Sequence, residues 1–112
     1  MEIISKIKKL LNMDENINLE KIISDGALII DVRTVEEYND GHISGSLNIP
    51  LNSIGDAMSW LIKDVPTITV CASGNRSAQA KKILDDNGFT KVYNGGSWNN
   101  FGKIKVGACP VK

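Results

Sequence analysis

The sequence predicts an α/β domain with a central parallel β-sheet and α-helices on both faces. Three observations carry that expectation. The short, nearly unbroken apolar run Ala27–Val32 suits a strand covered on both faces, and Thr67–Cys71 reads as another strand. Stretches with apolar residues at helical spacing lie between them, so strands and helices alternate along the chain. Polar and reactive residues gather where the runs end, at Asp31 and Arg33 and at Cys71, the side on which open α/β sheets bind ligands.

At the N-terminus, Ile3, Ile4, Ile7, Leu10 and Leu11 recur at helical spacing, with Lys6, Lys8 and Lys9 between them. Residues 1–15 are therefore expected to form an amphipathic helix docked on a single domain spanning 16–112. Asn16 or Asn18 can cap a second helix, whose face of Leu19, Ile22 and Ile23 stops at Asp25-Gly26. The strand at 27–32 follows. Thr34 can then cap a short turn through Tyr38, which Asn39-Asp40-Gly41 closes.

Ser46–Ile49 reads as a second strand, stopped by Pro50. From Leu51 to Lys63 the spacing predicts one helix, with Leu51, Ile54, Met58, Leu61 and Ile62 on its buried face and Gly55 weakening it by about 1 kcal/mol. After the Thr67–Cys71 strand a helix is expected from Arg76 or Ser77 to Gly88, packing through Ala78, Ala80, Ile83 and Leu84. Lys91–Tyr93 reads as a last brief strand and Asn94-Gly95-Gly96 as a turn.

Composition narrows the partners. With 112 residues there is room for one compact domain, and thirteen Lys plus Arg balance thirteen Asp plus Glu, so no basic excess points to nucleic acid or an anionic membrane. The N-terminal segment lacks the continuous apolar stretch of a secretion signal or membrane span, and the expected location is the cytoplasm. Two cysteines and one histidine cannot complete a four-ligand zinc site, so no metal or cofactor is expected and a reactive thiol is the better use.

The chemistry is expected in the loop Cys71-Ala72-Ser73-Gly74-Asn75-Arg76-Ser77. If it curls around the sulfur, successive N–H groups and the start of the following helix favour a thiolate or persulfide anion. Gly74 permits the curl, while Ala72, Ser73 and Asn75 leave the mouth open. Arg76 can hold an anionic donor or brace the loop against a carboxylate, and Ser77 can donate to the sulfur.

Two separated sets of residues resemble the rhodanese homology domain, over about Asn18 to Phe101. The first is Asp31-Val-Arg33 with Glu37-Tyr38, then Gly41-His42-Ile43-Ser44-Gly45-Ser46 and Asn48-Ile49-Pro50, similar to D-x-R, E-[FY], G-H-I-x-G-A and N-I-P. The second is Cys71 to Ser77, similar to C-x-x-G-x-R-[ST], with Gly95-Gly96 and Trp98 resembling a late G-G-x-x-x-W at shortened spacing. The resemblance implies a rhodanese-like α/β fold and transfer of sulfane sulfur, through a persulfide on Cys71, from a donor such as thiosulfate or a persulfide to cyanide or a thiol.

Four residues separate Cys71 from Arg76, whereas related phosphatases and arsenate reductases typically have five, so an oxyanion enzyme is the weaker reading. A non-catalytic binding module or a sulfur-relay carrier is the other alternative. The four intervening residues are uncharged, which predicts modest thiosulfate affinity unless Arg33, Lys81 or Lys82 turns inward, and leaves room for a protein persulfide as donor. Asp31 and Arg33 either bound the site or form an ion pair that braces the loop or Glu37. His42, in its Gly-His-Ile turn, is expected to bond backbone groups. Cys109 is either incidental or a resolving thiol for Cys71.

Overall fold

The computed structural model describes residues 18–101. The helix expected over 1–15, the alternative cap Asn16, and Cys109 lie outside them. The elements run α1 (Leu19–Ser24), β1 (Leu28–Asp31), α2 (Val35–Asn39), β2 (Leu47–Asn48), a 3-10 turn at Leu51–Ser53, α3 (Ile54–Ala57), β3 (Thr67–Cys71), α4 (Asn75–Asp86), β4 (Val92–Ser97) and a closing 3-10 turn at Trp98–Phe101. Their strands form one parallel sheet in the order β2-β1-β3-β4.

Strand alternation splits the core into two layers, as a sheet covered on both faces requires. Ile30, Val32 and Cys71 face Ile54, Ala57, Ala80 and Leu84, so α3 and α4 cover one side. Ile29, Ile68 and Val70 face Ile23, Ile43 and Phe101, so α1 and the closing turn cover the other. Helices thus lie on both faces of a parallel sheet, as the alternating pattern predicts. No helix among the described residues is long and apolar enough to cross a membrane.

Local caps fix the short helices. The Asn18 side chain accepts from Lys21 N–H at the start of α1. At α2, Thr34 accepts from Glu37 N–H at 3.2 Å while the Glu37 carboxylate accepts from Thr34 N–H at 2.9 Å, a reciprocal capping box.

Two expectations need correction. The single helix predicted over Leu51–Lys63 is instead a 3-10 turn plus the one-turn α3, after which the chain tightens. Ser59 Oγ bonds back to the Asp56 carbonyl at 3.0 Å, and Trp60 N–H reaches the Ala57 carbonyl at 3.0 Å, three residues back. Leu51, Ile54, Met58 and Leu61 still pack on the core, but Ile62 is 65% exposed.

The turn predicted at Asn94-Gly95-Gly96 is strand. β4 runs through it, with Thr69 opposite Asn94 and Val70 opposite Gly96, so Gly95 is the extra residue of a bulge. A Cβ on Gly95 would lie 2.7 Å from Ile68 Cγ2, so the glycine serves close packing there. Helix α4 also starts at Asn75, one residue before the earliest expected position.

Candidate active site

Cys71 is the last residue of β3, and the loop to α4 turns back over its sulfur. The turn depends on Gly74, which has φ +105° in the left-handed region and immediately precedes the helix. Gly74 N–H donates to Cys71 Sγ at 2.9 Å, and Ser77 Oγ stands 3.5 Å from the sulfur. Burial in the sheet pushes the Cys71 thiol up, whereas the Ser77 hydroxyl, when its proton turns to the sulfur, and the N–H groups of Ser77, Gly74 and Ser73 pull it down. The donors outweigh burial, and the thiol lies below its ordinary value. Ala72, Ser73 and Asn75 are exposed around the mouth, while Cys71 and Ser77 are fully buried.

Arg76 pairs with Glu37, with Nη1 to Oε1 at 2.8 Å and Nη2 to Oε2 at 3.1 Å. This pairing has the form of the brace against a carboxylate, one of the two uses the sequence leaves open for this arginine. The pairing holds the Glu37 carboxyl at about 2, chiefly through the Arg76 hydrogen bond, with the Thr34 N–H assisting.

Asp31 and Arg33 form a buried ion pair behind this brace. Arg33 Nη2 and Nε donate to the Asp31 carboxylate at 2.8 to 3.1 Å, and Nη2 and Nη1 also reach the Gly41 and Glu37 carbonyls at 2.7 and 3.2 Å. Its guanidinium lies over the Trp98 ring, 4.4 Å from the centroid. Arg33 therefore holds the backbone of Glu37, and its hydrogen bonds go to Asp31 and to the Glu37 and Gly41 carbonyls. Lys81 and Lys82 pair with Asp85 and Asp86 along α4. His42 donates from Nδ1 to the Tyr38 carbonyl at 2.8 Å and stacks on the Tyr38 ring, with no bond to Cys71.

Taken together, the donors at Cys71 can stabilise an anion on sulfur, and the loop's one cation is already matched by a carboxylate. Among the described residues no group of three or more His, Cys, Asp or Glu side chains is arranged to hold a metal ion.

The sequence model of the rhodanese-like domain matches residues 14–103. The chain belongs to the rhodanese-like domain family. It is 38% identical over 79 residues to thiosulfate sulfurtransferase PspE of Escherichia coli, covering 69% of this chain and 76% of PspE. It is 36% identical over 70 residues to thiosulfate sulfurtransferase GlpE of Pseudomonas entomophila, covering 62% of this chain and 64% of GlpE. Among solved structures, a rhodanese with anions from E. coli superimposes with a TM-score of 0.61 at 35% identity, covering 67% of this chain and 91% of the other.

Within this rhodanese-like site, two residues escaped the sequence reading. Glu37 was legible as a neighbour of Asp31 and Arg33 but not as the partner of Arg76. The sequence predicts a turn at Asn94, yet its Oδ1 lies 2.6 Å from Ser77 Oγ. A faint signal existed for it: asparagine is depleted in strands, so Asn94 directly after Val92-Tyr93 marks an unusual strand position.

Proposed function

We propose that this protein is a rhodanese-type sulfurtransferase that carries sulfane sulfur on Cys71. The observation that carries the reading is the Cys71 sulfur at the end of β3, met by the Gly74 N–H at 2.9 Å and by the start of α4. A thiolate in that setting attacks the outer sulfur of thiosulfate; the S–S bond to the sulfonate breaks, sulfite leaves with the bonding pair, and Cys71 holds a persulfide anion. Cyanide or a thiolate acceptor then takes the terminal sulfur and returns the Cys71 thiolate. Donor and acceptor meet the same sulfur in turn, so ping-pong kinetics follow.

The two relatives named thiosulfate sulfurtransferase support thiosulfate as one donor. The pairing of Arg76 with Glu37 argues for weak thiosulfate saturation, because it leaves the loop no unmatched cation, and favours a persulfide donor for physiological work. It also weighs against an oxyanion enzyme, whose arginine has to face the bound anion. Reversible thiol chemistry of this kind belongs in a reducing compartment, the cytoplasm.

The test is the intact mass of reduced protein after thiosulfate and, separately, after a low-molecular-weight persulfide. The expected result is a gain of one sulfur atom in the wild type, discharged by cyanide and absent from Cys71→Ser. No gain with either donor would leave the chain as a non-catalytic binding module.

A further inference from the structure

Ser77 has one hydroxyl proton and three acceptors within reach. Its Oγ lies 2.6 Å from Asn94 Oδ1, 3.0 Å from the Gly74 carbonyl and 3.5 Å from Cys71 Sγ. The orientation of the Asn94 amide is fixed independently, because Gly96 N–H donates to the same Oδ1 at 2.9 Å. Oxygen, and not the NH₂ group, therefore faces Ser77. The Gly74 carbonyl already accepts from Ala78 N–H at 3.1 Å. Asn94 has the shortest and best-defined claim on the proton.

With the hydroxyl proton directed at Asn94, Ser77 presents a lone pair to Cys71, an arrangement that suits a thiol S–H. It opposes a sulfur anion. On ionisation the hydroxyl has to rotate toward sulfur and give up Asn94, or leave the anion to the backbone donors alone.

We propose that Asn94 is a positioning residue for the sulfur chemistry: by holding the Ser77 proton, it sets how readily the Ser77 hydroxyl turns to support a sulfur anion on Cys71. Regular pairing with β3 puts Asn94 opposite Thr69, and the bulge at Gly95 directly after it turns Gly96 N–H back onto the amide oxygen. The catalytic significance rests on Cys71 being the sulfur carrier, but the proton arrangement can be measured without any sulfur transfer.

The measurement is the pH dependence of iodoacetamide alkylation at Cys71, followed by peptide mass, in the wild type, Asn94→Ala, Ser77→Ala and the double variant. Asn94→Ala should lower the midpoint by about one unit, a tenfold gain in thiolate, because the hydroxyl is then free to bond the anion. In the Ser77→Ala background the same substitution should move the midpoint by less than about a third of that. An unchanged or raised midpoint in Asn94→Ala, or equal shifts in both backgrounds, would overturn the proposal. Should Asn94→Ala fail to fold, Asn94→Asp keeps an acceptor for Gly96 N–H. Its midpoint should rise, and rise less when Ser77 is absent; equal rises would overturn the proposal. Failure of sulfur loading from thiosulfate or persulfide would count against the sulfurtransferase reading and leave this cycle intact.

Discussion

The guanidinium of Arg76 and the carboxylate of Glu37 meet fork to fork, 2.8 and 3.1 Å apart, across 39 positions of sequence. The contact joins α2 to the first turn of α4, and it consumes the charge that would otherwise attract an anionic donor. Replacing Glu37 by Gln keeps the side chain's shape and releases that charge. The KM for thiosulfate should fall by roughly threefold, in keeping with the energy of a partly exposed ion pair. Steady-state kinetics would check this; a higher KM would mean that the brace matters more for the shape of the loop than for its charge.

The same pair makes stability sensitive to acid. Glu37 titrates at about 2 in the folded protein against 4.5 ordinarily, so between those values the unfolded chain binds a proton that the folded chain does not. Its contribution is complete above about pH 4.5 and drains away as the pH falls toward 2. The Glu37 side chain is 37% exposed, so solvent screening reduces the effect below the full shift. Urea midpoints of the wild type and Glu37→Gln should differ near neutrality and converge in acid. A gap that stayed constant would show that the charge of Glu37 contributes nothing.

Breaking the deeper pair should be far more damaging. Asp31 is fully buried and Arg33 is 4% exposed, so Asp31→Asn strands a buried guanidinium with only carbonyl partners. A loss of about 3–5 kcal/mol is expected from removing one member of a buried ion pair. Equilibrium denaturation measures it, and a loss under about 1 kcal/mol would mean that water reaches the pair.

Two glycines should respond in opposite directions to alanine. At Gly95 the new methyl would sit 2.7 Å from Ile68 Cγ2 and 3.0 Å from both Phe101 Cζ and Val70 Cγ1, and overpacking of this kind costs about 1–3 kcal/mol. At Gly55, inside α3, nothing lies within 4 Å, and alanine should gain up to about 1 kcal/mol from helix propensity and a less flexible unfolded chain. Thermal melts of the two variants would separate packing from propensity.

The strands β1 and β3 were legible because burial on both faces favours apolar and β-branched residues, and Ile29 and Ile30 in β1 and Thr67 to Val70 in β3 supply them. The stretch after Pro50 misled because Leu51, Ile54, Met58 and Leu61 keep helical spacing while only one α-helical turn forms; packing on the core needs the spacing and not the full helix. At Asn94-Gly95-Gly96, a bulge and a turn draw on the same glycine chemistry, and strand pairing decides between them. Cys71 to Ser77 could be read as a unit because it is contiguous. Glu37 and Asn94 could not be assigned to it, since they approach from 39 residues before Arg76 and 17 after Ser77.

The bulge in β4 carries a consequence for transplanting this chemistry. The extra residue at Gly95 lets Gly96 N–H hold the Asn94 oxygen toward Ser77, as the cap at Thr34 helps hold the Glu37 carboxylate that meets Arg76, so the loop's behaviour is composed by β3, α2 and β4 together. Grafted as a seven-residue cassette onto another strand–helix junction, Cys71 to Ser77 would keep its glycine turn and its first amide contact. It would arrive without the carboxylate that holds its arginine or the amide oxygen that holds its serine proton, and the host would have to furnish both.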